Sequence, residues 1–236
     1  MQRSYDQIIH DVALQNLNVV FCLDRAGIVG ADGPTHHGVF DIAYMRSIPN
    51  MIVAAPMDEM ELRNMMYTAQ LDDMGPFSIR YPRGRGVLAD REVPFKKIAI
   101  GRGRLLAEGD RIAILTVGTT GIDALRAAEK LKEDGISAAH YDMRFVKPID
   151  EELLHQIFRK FNFVITVEDG VLHGGFGSAV VEFMTDNNYS ARVFRLGVPD
   201  QFIEQGTRTE LIRECGFDEQ GIINAVNELV PLKLRV

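Results

Sequence analysis

Between Asp24 and Gly38 the chain reads DRAGIVGADGPTHHG, and this one loop holds an arginine, two acids, two histidines and four glycines. Those residue types divide the work of handling a small charged ligand. The glycines let the backbone turn sharply and come close to a ligand, because glycine tolerates positive φ without steric cost. Arg25 offers a planar guanidinium fork that binds a phosphate dianion through two hydrogen bonds. His36 changes protonation near neutral pH and is the candidate proton carrier. Asp32, four positions earlier, is read as orienting that imidazole or touching substrate hydroxyls. His37 is read as structural. With no third ligand at metal spacing, the histidine pair predicts no zinc site.

Two further arginines join Arg25. Arg83 follows the strand PFSIRY in the sequence Pro82-Arg83-Gly84, and Arg3 lies on an opening helix. Open α/β sheets bind their ligands beyond the carboxyl ends of parallel strands. Arg25 and Arg83 each follow a strand end, so they are expected to converge on one crevice. The competing reading makes each a solvated or ion-paired surface residue. At His173–Ser178, HGGFGS opens a helix after a strand, and its N–H groups could hold an anion. Close packing of helix on strand explains those glycines equally well. Met57, Met60, Met65 and Met66 have helical spacing and read as core. His10, His140 and His155 are isolated.

The elements that must position these groups follow from periodicity. An amphipathic helix is predicted over Gln2–Gln15, and buried strands over Asn18–Leu23, Met51–Ala55 and Pro76–Tyr81. Helices fill Gly38–Arg46 and Asp58–Leu71. From Arg85 to Gly109 no period holds, so this stretch reads as a linker, with a possible strand pair at Lys97–Ile100 and Gly103–Ala107. Beyond it, strands at Ile112–Val117, Ser137–Met143, Phe163–Val167 and Arg192–Leu196 alternate with helices at Gly121–Asp134, Ile149–Phe161 and Gly175–Met184. Two short helices, at about Thr209–Glu214 and Gln220–Leu229, close the chain. Such alternation predicts an α/β fold with parallel sheets covered on both faces. The first part has only three strands and opens on a helix, which points to the C-terminal portion of something longer.

The 236 residues are 46% hydrophobic and 25% charged, the balance of an ordinary globular protein. A net charge of −7 with no basic stripe excludes a nucleic-acid binder. Cys22 and Cys215 have no metal or redox spacing, and Cys22 is expected to be a small buried hydrophobe. Neither a signal peptide nor a membrane span is legible, so a cytoplasmic location is expected.

Four segments then agree in order: DRAGIVGADGPTHHGVFD, IRYPRG, DMRFVKPID and LGVPDQFIEQGT. Together they resemble the C-terminal part of the 1-deoxy-D-xylulose-5-phosphate synthase family, thiamine-diphosphate enzymes of the transketolase class. The resemblance implies a partial pyrimidine-type domain over 1–84, a linker over 85–109 and a complete transketolase C-terminal-like domain over 110–236. It implies that pyruvate is decarboxylated and condensed with glyceraldehyde 3-phosphate, toward isoprenoid, thiamine and pyridoxal synthesis, by a homodimer. It also implies that Arg3, Arg25 and Arg83 bind the substrate phosphate, with His36 and Asp32 near the reacting carbons. The family's GDG…N motif for magnesium and the cofactor diphosphate is missing. Glu168-Asp169-Gly170 with Asn187-Asn188 imitates it only loosely and is set aside. Thiamine diphosphate and Mg2+ are therefore expected in the parent enzyme and not on this chain, which should be inactive alone. A split transketolase, a keto-acid dehydrogenase β-type subunit and a non-catalytic dimerisation module are the alternatives.

Overall fold

The structure, a computed structural model, describes residues 1–86 and 93–229. An opening helix passes through three geometries, 3-10 over Gln2–Ser4, α over Tyr5–Gln7 (α1) and π over Ile8–Ala13. Then come β1 (Val20–Leu23), α2 (Asp41–Arg46), β2 (Ile52–Ala54), α3 (Glu59–Ala69) and β3 (Phe77–Arg80). The second half runs β4 (Arg104–Ala107), β5 (Ile112–Thr116), α4 (Thr120–Glu133), β6 (Ala138–Asp142), β7 (Phe145–Lys147), α5 (Glu151–Lys160), β8 (Phe163–Val171), α6 (Phe176–Asp186), β9 (Arg192–Val198), α7 (Arg208–Glu214) and α8 (Glu219–Leu229). The fold is α/β with two sheets.

In the first sheet the strand order is β1-β3-β2-β7. β1, β3 and β2 run parallel, and every residue of the inner strands β2 and β3 is buried, as apolar strands covered on both faces require. Asp58 starts α3 by accepting the Glu61 N–H at 2.8 Å, and Met65 and Ala69 then pack with Phe77 and Ile79. Three expectations need correction here. The sheet is not wholly parallel, because β7 from the second half pairs antiparallel with β2. Cys22 is exposed rather than buried, because β1 lies at the sheet edge. Lys97–Ile100 forms no strand. Instead the Ile98 N–H meets the Thr68 hydroxyl at 2.9 Å, while Phe95 stacks on Tyr67 with centroids 5.4 Å apart.

The second sheet has the order β4-β6-β5-β8-β9, parallel except for β4. α4 and α8 join one face through Ala124, Leu131, Ile222 and Val226. On the other face one apolar core runs without interruption from Ile42, Met45 and Val53 to Leu115, Phe158 and Phe176. The two halves therefore share a core as well as a strand. β8 continues to Val171, past its predicted end at Val167, and this extension carries Glu168 and Asp169 into the seam between the halves. Within the predicted linker and C-terminal domain, 87–92 and 230–236 lie outside the described residues.

Candidate functional site

β1 and β3 are parallel neighbours with Leu23 beside Arg80, so the segments that follow them leave the sheet side by side. The Ala26 N–H donates to the Tyr81 carbonyl at 2.9 Å and ties the two together. Arg25 lies in the left-handed region at φ 57°, a conformation that costs a non-glycine residue and that clusters at functional sites. Its Nη1 stands 3.9 Å from Asp32 Oδ2, and Arg83 Nη1 stands 2.8 Å from the same oxygen. The two guanidinium groups thus meet at one carboxylate. All three side chains are open to solvent, at 48% for Arg25, 54% for Arg83 and 37% for Asp32, so a ligand can reach them.

Asp32 gets there by two successive turns, in which the Gly33 N–H donates to Gly30 and the His36 N–H to Gly33, at 3.0 and 3.1 Å. His36 is exposed, and its Nδ1 lies 2.9 Å from the Thr35 hydroxyl. Among the described residues no hydrogen bond joins His36 to Asp32, whose carboxylate turns to the arginines instead. Buried His37 accepts the Val29 N–H on Nδ1 at 3.1 Å, the structural role expected of it. Arg3 sits exposed in the first turn of the opening helix. Among the described residues no hydrogen bond or ion pair links it to Asp32, the carboxylate that Arg25 and Arg83 share.

Behind the loop lies a polar seam. Buried Arg80 donates through Nε to Asp41 at 2.8 Å and through Nη2 to the Asp169 carbonyl at 2.7 Å. The Asp169 carboxylate accepts the Ile28 N–H at 2.9 Å and Arg208 Nη2 at 2.9 Å. Glu168 accepts the N–H groups of Phe176 and Gly177, at 2.7 and 2.8 Å, at the start of α6. The anion that HGGFGS suggested is therefore the chain's own carboxylate. Burial pushes the Glu168 carboxyl up to about 7, against the pull of those N–H groups and of Arg80 and Arg195. At the level of sequence Asp169 draws notice only within Glu168-Asp169-Gly170, which is set aside, and no motif marks Arg208; an acid just past a β-branched strand is the available signal.

Arg83 and Arg208 also wall a crevice of about 530 Å³ between the halves, with Met57, Tyr81 and Arg126. Two guanidinium groups sharing one displaceable carboxylate can take up a phosphate dianion in its place. Among the described residues no three His, Cys, Asp or Glu side chains are grouped to hold a metal ion, and the α6 N-terminus is filled by Glu168.

Residues 1–86 match the family described as transketolase, pyrimidine binding domain, and residues 101–222 match transketolase, C-terminal domain. The chain is 59% identical over 236 residues to a 1-deoxy-D-xylulose-5-phosphate synthase of Cytophaga hutchinsonii, covering all of this chain and 37% of that protein. Against the synthase of Bacteroides fragilis it is 59% identical over 229 residues, covering 97% of this chain and 35% of that one. The chain thus spans little more than a third of the length of these relatives. A solved split-gene transketolase, described as an inactive beta4 tetramer, superposes with a TM-score of 0.82 at 32% identity, covering 99% of this chain and 73% of its own.

Proposed function

Because the chain belongs to the transketolase family, with its pyrimidine-binding and C-terminal domains, we propose that it serves as part of a 1-deoxy-D-xylulose-5-phosphate synthase and there binds the triose-phosphate substrate. The division into 1–84, a linker over 85–109 and 110–236 belongs to this proposal. One observation carries the substrate role: Arg25 and Arg83 meet at Asp32 Oδ2 beyond the ends of neighbouring parallel strands.

The phosphate of glyceraldehyde 3-phosphate displaces Asp32 and takes both guanidinium forks. Arg3, from the opening helix, is the third candidate for the same group. Binding fixes the aldehyde at a set distance from the loop. As pyruvate loses CO2 and its remaining two-carbon unit bonds to the aldehyde carbon, the aldehyde oxygen gains negative charge, and His36 supplies its proton. The freed Asp32 is then available to substrate hydroxyls.

Thiamine diphosphate and Mg2+ belong to the whole enzyme, as does its place in isoprenoid, thiamine and pyridoxal synthesis in the cytoplasm. On this reading neither group belongs to the chain by itself, which is inactive alone and works as part of a self-associating assembly. Incubating it with pyruvate, glyceraldehyde 3-phosphate, thiamine diphosphate and Mg2+ is expected to give no turnover. Titration with glycerol 3-phosphate is expected to show binding that Arg25→Ala and Arg83→Ala each weaken, without loss of self-association. Robust turnover would contradict the first statement, and unaltered binding the second.

The split-subunit reading draws on the 73% coverage of the split-gene transketolase. It requires a separate polypeptide that restores turnover on mixing.

A further inference from the structure

We propose that Asp169, from the C-terminal domain, is the positioning residue that sets Arg25 and Arg83 at the spacing a phosphate needs. The proposal rests on the phosphate-binding reading above and extends the site into the other half of the chain.

The substrate loop is closed at its neck by two hydrogen bonds, Gly27 N–H to the Gly38 carbonyl and Gly38 N–H to the Gly27 carbonyl, both 2.8 Å. The neck closes the loop that carries Asp32, and Arg25 lies two residues before it, so where the neck sits sets the place of both. What fixes the neck is Asp169. Its Oδ1 accepts the N–H of Ile28, the residue after Gly27, at 2.9 Å. Gly27 itself lies so close that a Cβ there would fall 2.1 Å from the same carboxylate.

Arg83 is tied to the same residue from the other side. Three positions before it, buried Arg80 donates to the Asp169 carbonyl at 2.7 Å and to Asp41 Oδ2 at 2.8 Å. One residue therefore holds the strand end before Arg83 through its carbonyl and the loop after Arg25 through its carboxylate. Arg208 completes the arrangement by pairing with Oδ2 at 2.9 Å, which satisfies the second carboxylate oxygen of a side chain only 4% exposed. A carboxylate buried and shared in this way fixes position more tightly than packing alone, because losing any contact leaves a desolvated charge.

A residue that merely glues the halves together would lower stability without changing the site. Two readouts on the full chain separate these roles: amide hydrogen exchange across 27–38, and titration with glycerol 3-phosphate. Asp169→Ala is expected to speed exchange in 27–38 by about tenfold while β5 keeps its protection, and to weaken binding about tenfold, the scale of one charge-assisted hydrogen bond. Asp169→Asn keeps an acceptor for Ile28 and is expected to fall between wild type and Asp169→Ala; it also serves if the alanine variant does not fold. Glu61→Ala, which breaks a different cluster in the seam, is expected to leave loop exchange and affinity unchanged. The proposal is overturned if Asp169→Ala leaves loop exchange at its wild-type value, if the wild-type chain binds glycerol 3-phosphate and Asp169→Ala leaves that affinity unchanged, or if Glu61→Ala weakens binding as much. If the wild-type chain takes up no glycerol 3-phosphate but residues 27–38 still lose protection in Asp169→Ala, the phosphate reading falls and the loop-holding role stands. Unchanged loop exchange sinks that role whatever the titration shows.

Discussion

Asp169 occupies the space that a side chain at Gly27 would need: a Cβ built there lies 2.1 Å from the carboxyl carbon. Gly27 also has φ 74°, where L-residues are strained. Gly27→Ala should therefore cost about 2–4 kcal/mol, combining backbone strain with a displaced buried carboxylate. Urea denaturation measures this, and a midpoint equal to wild type would show that the seam yields freely.

Asp32 competes with any incoming anion for Arg25 and Arg83, and all three side chains are solvent-open. Exposed ion pairs contribute about 0–1 kcal/mol, so Asp32→Asn should tighten glycerol 3-phosphate binding by about two- to fivefold. Weaker binding would mean that the carboxylate supports the site instead of occupying it.

Glu61, on α3, pairs across the seam with Arg104 at 3.0 Å and Arg144 at 2.9 Å, and Arg104 also reaches Asp142 at 2.9 Å. Removing one partner of a buried pair costs about 3–5 kcal/mol, and the partial exposure of both arginines reduces this to about 2 kcal/mol for Glu61→Ala. Thermal melting tests the value, and a change within about 0.5 kcal/mol, the range of ordinary surface sites, would contradict it.

Glu168 gives the pH dependence a definite sign. Its carboxyl titrates at about 7 when folded, above the ordinary carboxylate value of 4.5, with burial as the cause. Between those values the folded chain binds more protons than the unfolded one, so this group's contribution falls as pH rises. Wild-type stability minus that of Glu168→Gln should accordingly shrink from about pH 5 to about pH 8. His140 acts in the opposite direction, its pKa held down to about 4 by burial and then by Arg104, but it cancels in this difference. A gap that stays constant would place the Glu168 titration outside this window.

Composition and period reveal most of this architecture, and the rest fails for identifiable reasons. Runs such as MIVAA and RIAILTV announce buried strands, and Asp58 and Asp150 announce helix starts, because these signals are local. β7 is three residues long and finds its partner β2 about ninety positions away, so neither length nor alternation betrays it. Cys22 looks buried among apolar neighbours, but strand order puts β1 at an edge, and order is a property of the whole sheet. In the site, the glycines and charges of 24–38 are legible because they crowd one stretch. Asp169 is not, since its role exists only once β8 brings it against Gly27, 142 positions away in the chain.

A crystal structure of this chain with glycerol 3-phosphate tests the central claim most directly. The phosphate is expected between the guanidinium groups of Arg25 and Arg83, with the Asp32 carboxylate swung off both. Phosphate bound elsewhere, or Asp32 still paired to Arg83 in the complex, would contradict the account.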